Sequence, residues 1–277
     1  MAGGWPLGLD VCHGNDNGTV TSSSSGTVIT AASSANTKGS YTQLVASTAY
    51  DACWMIIQMT FGTYTGLSAL QAIDIATGAS GSEVVLISNI MQYSGDSILF
   101  CNNIVVPCCI PAGTRIAARM QATTASNTAA VNIVLFDGAY TQMEGCSLID
   151  TYGFVSANTT GTVITTSGTA NTKGSYVQLT ASTTYDLLGF FFIIDNDAKT
   201  SGGTSNYLID VATGASGSEV VIFPNFKVRA LDQGFQPSYS GFCPVAIPAG
   251  TRIAARAAGA SGGTSVPIGI TFYGVRA

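Results

Sequence analysis

The residues of this chain that could do chemistry are few, and most of them occur twice. Charged side chains make up 9% of the 277 residues, and His13 is the one histidine. Three acidic residues recur with their surroundings: Asp51, Asp74 and Glu83 return as Asp186, Asp210 and Glu219. Asp74 and Glu83 could work as an acid and a base, as two carboxylates do in a glycosidase. That chemistry also needs a cleft that tunes their pKa values, and the sequence shows no such cleft.

Basic residues recur together with these acids, which favours structural ion pairs over catalysis. Lys38, Arg115 and Arg119 return as Lys173, Arg252 and Arg256. Side chains alternate along a strand, so the two arginines of each copy share one face. We predict that they meet carboxylates of the same copy or of an adjacent subunit, and we expect no enzymatic activity. The predicted ion-pair residues are Asp74, Glu83, Arg115, Arg119, Asp210, Glu219, Arg252 and Arg256.

Other catalytic and ligand-binding patterns are incomplete. One histidine cannot supply a Ser-His-Asp set in both copies. The segments 15–18 and 195–197 carry fragments of a calcium loop without its distal glutamate, and we interpret them as turns. The GASGS runs lack the Lys-Ser/Thr of a phosphate-binding loop. Aromatic residues that could bind sugars are expected in the core or in interfaces; they are Tyr41, Tyr50, Tyr176, Tyr185 and Phe190 to Phe192. We therefore predict neither a cofactor nor a metal.

Repeated blocks set the domain organisation. The runs ATGASGSEVV, from Ala76 and from Ala212, and IPAGTRIAAR, from Ile110 and from Ile247, each occur twice, as does NTKGSY, from Asn36 and from Asn171. Their spacings are 135 to 137 residues, far longer than the period of a solenoid repeat. The chain is therefore a tandem duplication of a whole domain.

Each copy reads as about eight short strands separated by turns, without sustained helical periodicity. Abundant Thr and Val with Gly-rich punctuation are typical of this class. The predicted fold is all-β, with two tandem homologous β-sandwich domains that are jelly-roll-like. We predict an N-terminal arm over residues 1–25, the first sandwich over 26–138, a linker over 139–160 and the second sandwich over 161–277. Cys146 to Phe154 in the linker resembles an extra strand or docking segment.

Charge and hydropathy exclude several classes of protein. The net charge is −5 and no Lys/Arg run occurs, which argues against nucleic-acid binding. We expect no secretory signal at the start of the chain and no membrane-spanning segment, since no apolar stretch is long enough to cross a membrane. We expect synthesis in the cytoplasm. Low charge with a Ser/Thr/Gly surface suits a protein packed against neighbours.

The seven cysteines are distributed unevenly between the copies. Cys53, Cys108 and Cys109 correspond to Leu188, Val245 and Ala246, so we interpret them as small core residues. Cys12 and Cys146 lie in the arm and the linker and are the candidates for disulfides between subunits under oxidising conditions.

The NTKGSY opening, the GSEVV block and the IPAGTRIAAR block together resemble a recurrent domain of tailed-bacteriophage virion proteins. The resemblance covers Gly26 to Gly138 and Gly161 to Gly274. It implies a β-sandwich fold and a location in the virion, and it carries no catalytic residues. We expect a decoration or cement protein that stabilises the capsid. Its expected partners are copies of itself, a trimer being favoured, and virion proteins such as the major capsid protein.

Three alternatives remain open. The chain could be a head or tail fibre or collar protein that binds a host glycan. It could instead be a capsid shell protein built from two jelly rolls, or a carbohydrate-active enzyme that uses Asp74 and Glu83. A fibre is disfavoured because the sequence has neither a coiled-coil stalk nor a long tip domain.

Overall fold

The computed structural model describes residues 26–61, 69–94, 102–136, 148–195, 205–230, 238–261 and 266–277. Within these ranges the regular elements are all β-strands. The first copy contains β1 (Thr27–Thr30), β2 (Thr42–Val45), β3 (Ala52–Phe61), β4 (Ala69–Thr77), β5 (Val84–Ser94), β6 (Asn102–Ile110), β7 (Ile116–Ala122) and β8 (Thr128–Phe136). β9 (Ile149–Tyr152) and β10 (Phe154–Val155) follow. The second copy contains β11 (Thr160–Thr165), β12 (Val177–Thr180), β13 (Leu187–Asp195), β14 (Ser205–Thr213), β15 (Val220–Ala230), β16 (Ser238–Tyr239), β17 (Ile253–Gly259) and β18 (Pro267–Arg276).

The two copies have equivalent strand orders. In the first copy, one sheet has the order β1-β8-β3-β6, and the path β5-β4-β7-β2 forms the facing sheet. In the second copy, β18 lies between β11 and β13, β13 pairs with β16, and the facing sheet has the order β12-β17-β14-β15. Two four-stranded sheets with these crossovers form a jelly roll. The predicted fold class, all-β with two tandem homologous β-sandwich domains, is confirmed.

The described part of the predicted linker contains strands that connect the two copies. β9 pairs with the second half of β18 and, through Ile149 opposite Ile87, with β5 of the first copy. β10 pairs with β11. The sheet of the first copy that contains β5 therefore continues through β9 into the second copy. The predicted arm, together with His13, Cys12 and Cys146, lies outside the described residues.

The β13–β18 pair of the second copy is buried on both faces. Phe190, Phe192 and Phe272 point into the core of their own sandwich, whereas Phe191 and Tyr273 join the core of the first copy. Phe191 stacks on Tyr273 with ring centroids 4.7 Å apart. At the neighbouring β6 edge, the Tyr239 hydroxyl donates to the carbonyl of Val105, and Phe242 contacts Trp54 edge-on, with ring centroids 6.1 Å apart. The two sandwiches thus share an apolar junction.

The core interpretation of the cysteines is right for one residue and wrong for another. Cys108 is buried in the first core, but Cys109 is exposed. Consecutive residues on β6 point to opposite faces, so one of these two neighbours had to face outward.

The repeated Pro-Ala-Gly turn is held by the aspartate that comes just before the neighbouring strand. The carboxylate of Asp51 accepts a hydrogen bond from the amide of Ala112 at 2.7 Å, and Asp186 accepts one from Ala249 at 2.7 Å. Gly113 and Gly250 follow with φ values of 80° and 82°, in the left-handed region that favours glycine. The recurring Asp51 and Asp186 are therefore turn-stabilising residues.

The glycine of NTKGSY is required by a close approach of two backbones. A Cβ on Gly39 would lie 2.1 Å from the carbonyl oxygen of Thr30, and one on Gly174 would lie 2.2 Å from that of Thr165. These oxygens belong to the last residues of β1 and β11. The block can therefore lie against the end of the first strand of each sandwich only if this position lacks a side chain.

We predict that Gly174→Ala destabilises the protein, because the new methyl group must displace backbone. The expected loss is about 3 kcal/mol in the free energy of unfolding, measured by urea denaturation. Gly168→Ala is the matched control, since a Cβ there meets nothing within 4 Å. Equal stability of the two variants would contradict the close-approach explanation.

Candidate functional site

One buried aspartate in each copy, two residues before the ATGASGSEVV block, binds side chains from the other two repeated blocks. In the first copy, Lys38 of NTKGSY donates to Oδ1 of Asp74 at 2.7 Å. Arg119 of IPAGTRIAAR donates through Nε to Oδ2 at 2.9 Å. Lys38 also donates to the carbonyl of Ala72 at 3.1 Å. We call Lys38, Asp74 and Arg119, with their counterparts Lys173, Asp210 and Arg256, the ion clusters.

Asp74 also holds an irregularity in the neighbouring strand. Ile73 lies opposite Ile90, and Ile75 lies opposite Ile87, so two residues of β5 oppose Asp74. This is a β-bulge, and its residue Asn89 has a φ of 58°. The amide of Asn89 donates to Oδ1 of Asp74 at 2.9 Å. The carboxylate therefore stabilises the bulge as well as the two cations.

The second copy reproduces this arrangement atom for atom. Lys173 donates to Asp210 at 2.7 Å and Arg256 donates to it at 3.0 Å. The amide of Asn225, with a φ of 55°, donates to Oδ1 of Asp210 at 2.9 Å. The bulge lies at the equivalent place, between Ile209 and Val211.

The aromatic residue of NTKGSY completes each ion cluster. The Arg119 guanidinium lies 4.5 Å from the ring centroid of Tyr41, and that of Arg256 lies 4.4 Å from the ring centroid of Tyr176. Such stacking fixes the arginine side chain while leaving part of it in water. Tyr41 and Tyr176 are thus committed to arginines rather than available for a sugar.

The other predicted pair links the turn of GASGSEVV to IPAGTRIAAR. Arg115 donates to Glu83 at 3.1 Å and to the carbonyl of Gly78 at 3.0 Å. Arg252 donates to Glu219 at 3.1 Å and to the carbonyl of Gly214 at 3.0 Å. The structure therefore places all eight predicted ion-pair residues in contacts within their own copy, as four separate carboxylate–arginine pairs.

The electrostatics favour the ionised form of Asp210, Glu83 and Glu219. Desolvation opposes ionisation of Asp210, but the hydrogen bonds from Lys173, Asn225 and Arg256 outweigh it and lower its pKa. Desolvation also opposes ionisation of Glu83, and hydrogen bonds from its own amide, Arg115 and Gly81 lower its pKa. A carboxylate with a lowered pKa holds no proton to donate near neutral pH.

Lys38 is the cation on which burial has the clearest effect. Desolvation lowers its pKa, although the contact with Asp74 acts in the opposite direction. The ammonium also lies 5.9 Å from the ring centroid of Phe154, in β10. The first ion cluster is therefore covered by the connecting segment.

A cleft of about 580 Å³ lies between the first ion cluster and the connecting strands. Its walls include Lys38, Asp74 and Arg119 on one side and Asp150, Phe154 and Arg276 on the other. Arg276 binds Asp150 through two hydrogen bonds, of 2.6 and 3.1 Å. Every charged side chain that lines the cleft is thus paired with another one that lines it.

The geometry gives these residues a stabilising role and no clear acid–base pair. Both oxygens of Asp74 already accept hydrogen bonds, and Glu83 is held by a different arginine. A general base needs a lone pair directed at a substrate proton. Among the described residues, no group of three or more His, Cys, Asp or Glu side chains could hold a metal ion. The same ranges contain no helix with the length and apolarity that crossing a membrane requires.

Sequence reasoning missed several residues of the junction. Gln121 donates to the Ser156 carbonyl at 2.9 Å and to the Thr159 hydroxyl at 2.8 Å, and that hydroxyl donates to Asn36. The only sequence signal is that the counterpart of Gln121 in the repeat is Ala258. Of the aromatic residues considered for sugar binding, Phe190 to Phe192 are buried, while Tyr50 and Tyr185 are exposed.

Comparisons with known proteins give only distant likenesses. No protein-family model and no curated protein matches the chain. A structure of PNGF-II aligns with a TM-score of 0.37 and 9% identity, over 85% of this chain and 59% of that chain, so this chain spans about three fifths of its length. The CBM22-1–CBM22-2 tandem of Paenibacillus barcinonensis Xyn10C aligns with a TM-score of 0.27 and 11% identity, over 86% of this chain and 83% of that chain. Tripeptidyl peptidase 2 aligns with a TM-score of 0.24 and 8% identity, over 90% of this chain and 23% of that chain. Likenesses this distant assign no function to the chain.

We predict that Asp210→Asn lowers the free energy of unfolding at neutral pH by about 3 kcal/mol, because it leaves Lys173 and Arg256 without their countercharge. The pKa of Asp210 in the folded chain lies below its ordinary value of 3.8. Its stabilisation is therefore complete above that pH and is lost as the pH falls through the folded pKa. The difference between wild type and variant, from urea denaturation across a pH series, should stay constant near neutrality and shrink below pH 3.8.

The control for this prediction is Asp186→Asn. Asp186 is exposed, and its carboxylate accepts a hydrogen bond from the backbone amide of Ala249 that an asparagine oxygen can still accept. We expect a change within about 0.5 kcal/mol. A loss as large as that of Asp210→Asn would mean that the ion cluster has no special role.

Proposed function

We propose that the chain is a non-enzymatic structural protein of a tailed-phage virion, and that it decorates the capsid as a cement protein. The observation that carries the proposal is that two of the repeated blocks meet at the ion clusters. NTKGSY supplies Lys38 and IPAGTRIAAR supplies Arg119 to Asp74, which precedes the third block by two residues, and the second copy repeats this arrangement. The duplication thus preserves the charged residues that stabilise each sandwich.

The state of the carboxylates supports a structural role over a hydrolytic one. In both copies the two acids that a glycosidase mechanism would use are bound by different arginines. A cement protein needs a rigid module with surfaces for neighbours, and it needs no acid–base pair. The apolar junction supports the same role, because sandwiches of this type can pack through their sheet faces.

A second candidate function is that of a shell protein. The specific observation in its favour is the jelly-roll strand order of both copies. Viral capsid proteins are among those that use this fold, although the fold alone does not determine function.

The test is the copy number of this chain relative to the major shell protein in purified particles, measured by quantitative mass spectrometry. A decoration protein is expected in numbers comparable to the shell protein, and removing it should leave an intact but less heat-resistant head. If the chain were itself the dominant shell component, the second candidate would replace the first. A copy number far below that of the shell would move the protein to a fibre or collar, and absence from particles would refute a virion role.

A further inference from the structure

The two copies meet through unlike surfaces. The second copy contributes the outer face of the sheet that contains β13 and β18, with Phe191 and Tyr273 at its centre and Ile193 and Val275 beside them. The first copy contributes the edge of its sandwich at β5. The Tyr273 hydroxyl donates to the carbonyl of Asn89 at 2.5 Å, so the contact is polar as well as apolar.

The contact buries part of the β5 edge. Met91 has 0% exposure, whereas its counterpart Lys227 is exposed. Ile87 and Ile90 lie opposite Ile75 and Ile73 and point into the core of the first copy itself. β9 contributes at the same place, since the Thr151 hydroxyl donates to the carbonyl of Ser88 at 2.7 Å. We call the first surface the outer face and the second the bulge edge.

The first copy carries its own outer face, which the second copy does not cover in the same way. The strand registers place Ile56 and Val134 at the positions of Phe191 and Tyr273. Both are only half-buried, and two valines on the adjoining strands, Val28 and Val105, are 44% and 40% exposed. Trp54, at one end of this face, already contacts Phe242. The remainder is a mixed face, in which Asn132 donates to Gln58 at 2.7 Å beside Ile56 and Val134, with the exposed Val28 and Val105 on the adjoining strands.

The second copy carries its own bulge edge, on β15. Phe223 and Phe226 stand at the positions of Ile87 and Ile90 and likewise point into the core of their own copy, where their rings lie 5.2 and 5.0 Å from that of Phe192. Around them Asn225 and Lys227 are exposed, and Val221 is 37% exposed. The bulge is formed and held by Asp210 as in the first copy, so the edge has the shape that receives an outer face within the chain.

We infer that the outer face of the first copy in one chain binds the bulge edge of the second copy in another chain. The occupant is therefore a second copy of this protein, and the model for the contact is the junction already present inside the chain. Such an interface is heterologous, because two different surfaces meet, and it closes into a ring or continues as a filament. A ring of three chains would repeat the copy-to-copy contact six times. This association is independent of whether the protein lies on a virion.

The test uses two variants that each block one surface. Val134→Glu places a charge at the centre of the outer face of the first copy. The double variant Pro224→Glu/Lys227→Glu places two charges on the bulge edge of the second copy, at exposed positions. Each is expected to weaken self-association, measured by sedimentation velocity, by roughly tenfold or more, since a charge must be desolvated in the contact. Val155→Glu, at an exposed position on β10, is the matched control and should associate like the wild type.

Mixing the two blocked variants gives the decisive result. Each chain then keeps one working surface, and the two working surfaces are complementary, so the mixture should form dimers of twice 28.3 kDa and nothing larger. Each variant alone should remain monomeric.

Three results would overturn the inference. These are a wild-type chain that stays monomeric at every concentration, association that neither variant weakens, and a mixture that stays monomeric although both variants show wild-type thermal unfolding. If Val134→Glu does not fold, Val105→Glu takes its place, because that position is 40% exposed on the same face.

Discussion

The structure depends on a buried aspartate that binds two cations and one bulge amide at once. Asp74 and Asp210 lie on the central strands β4 and β14, and each joins three segments that are far apart in the chain. A carboxylate taken out of water is costly unless its oxygens are fully hydrogen-bonded, and here the Lys, Arg and Asn partners meet that requirement. The bulge can persist because Asn89 and Asn225 tolerate a positive φ and their amides have an acceptor.

Such a cluster determines which strands are neighbours more than it adds net stability. Replacing a buried ion pair with apolar residues is often neutral, so the reason for its presence lies elsewhere. The alternatives that it disfavours are register slips of β4 against β5 and β7, which would leave a charge unpaired in the sandwich. The small side chains of alanine-rich strands such as IAARMQA and IAARAAG pack similarly in several registers, so packing alone does not determine the strand register. The ion cluster therefore supplies specificity where the core is made of small side chains.

Much of this fold could be predicted from the sequence, and the part that could not is non-local. The strands and the duplication follow from turn residues and repeated blocks, and alternation along TRIAAR places both arginines on one face. Which acid each arginine meets, and the bulge opposite Asp74, depend on strand register, which no local pattern specifies. The junction did leave one signal. In β3 Met55, Ile57 and Met59 alternate with Gln58 and Thr60, whereas β13 is apolar at every position from Phe190 to Ile194. A strand that is apolar on both faces is buried on both faces, and here the second face lies against the other copy.

The duplication gives equal backbones to two domains whose surroundings are unequal. Because the copies follow each other head to tail, only one outer face and one bulge edge can be buried inside the chain. Their side chains diverge accordingly: Tyr273, whose hydroxyl reaches across the junction, corresponds to Val134, and the fully buried Met91 corresponds to the exposed Lys227. The ion clusters differ by at most 0.1 Å in their Lys–Asp and Arg–Asp distances despite this divergence, 2.7 against 2.7 Å and 2.9 against 3.0 Å. The ion clusters thus keep the same geometry in both copies, while the position of each copy along the chain determines which of its surfaces are buried.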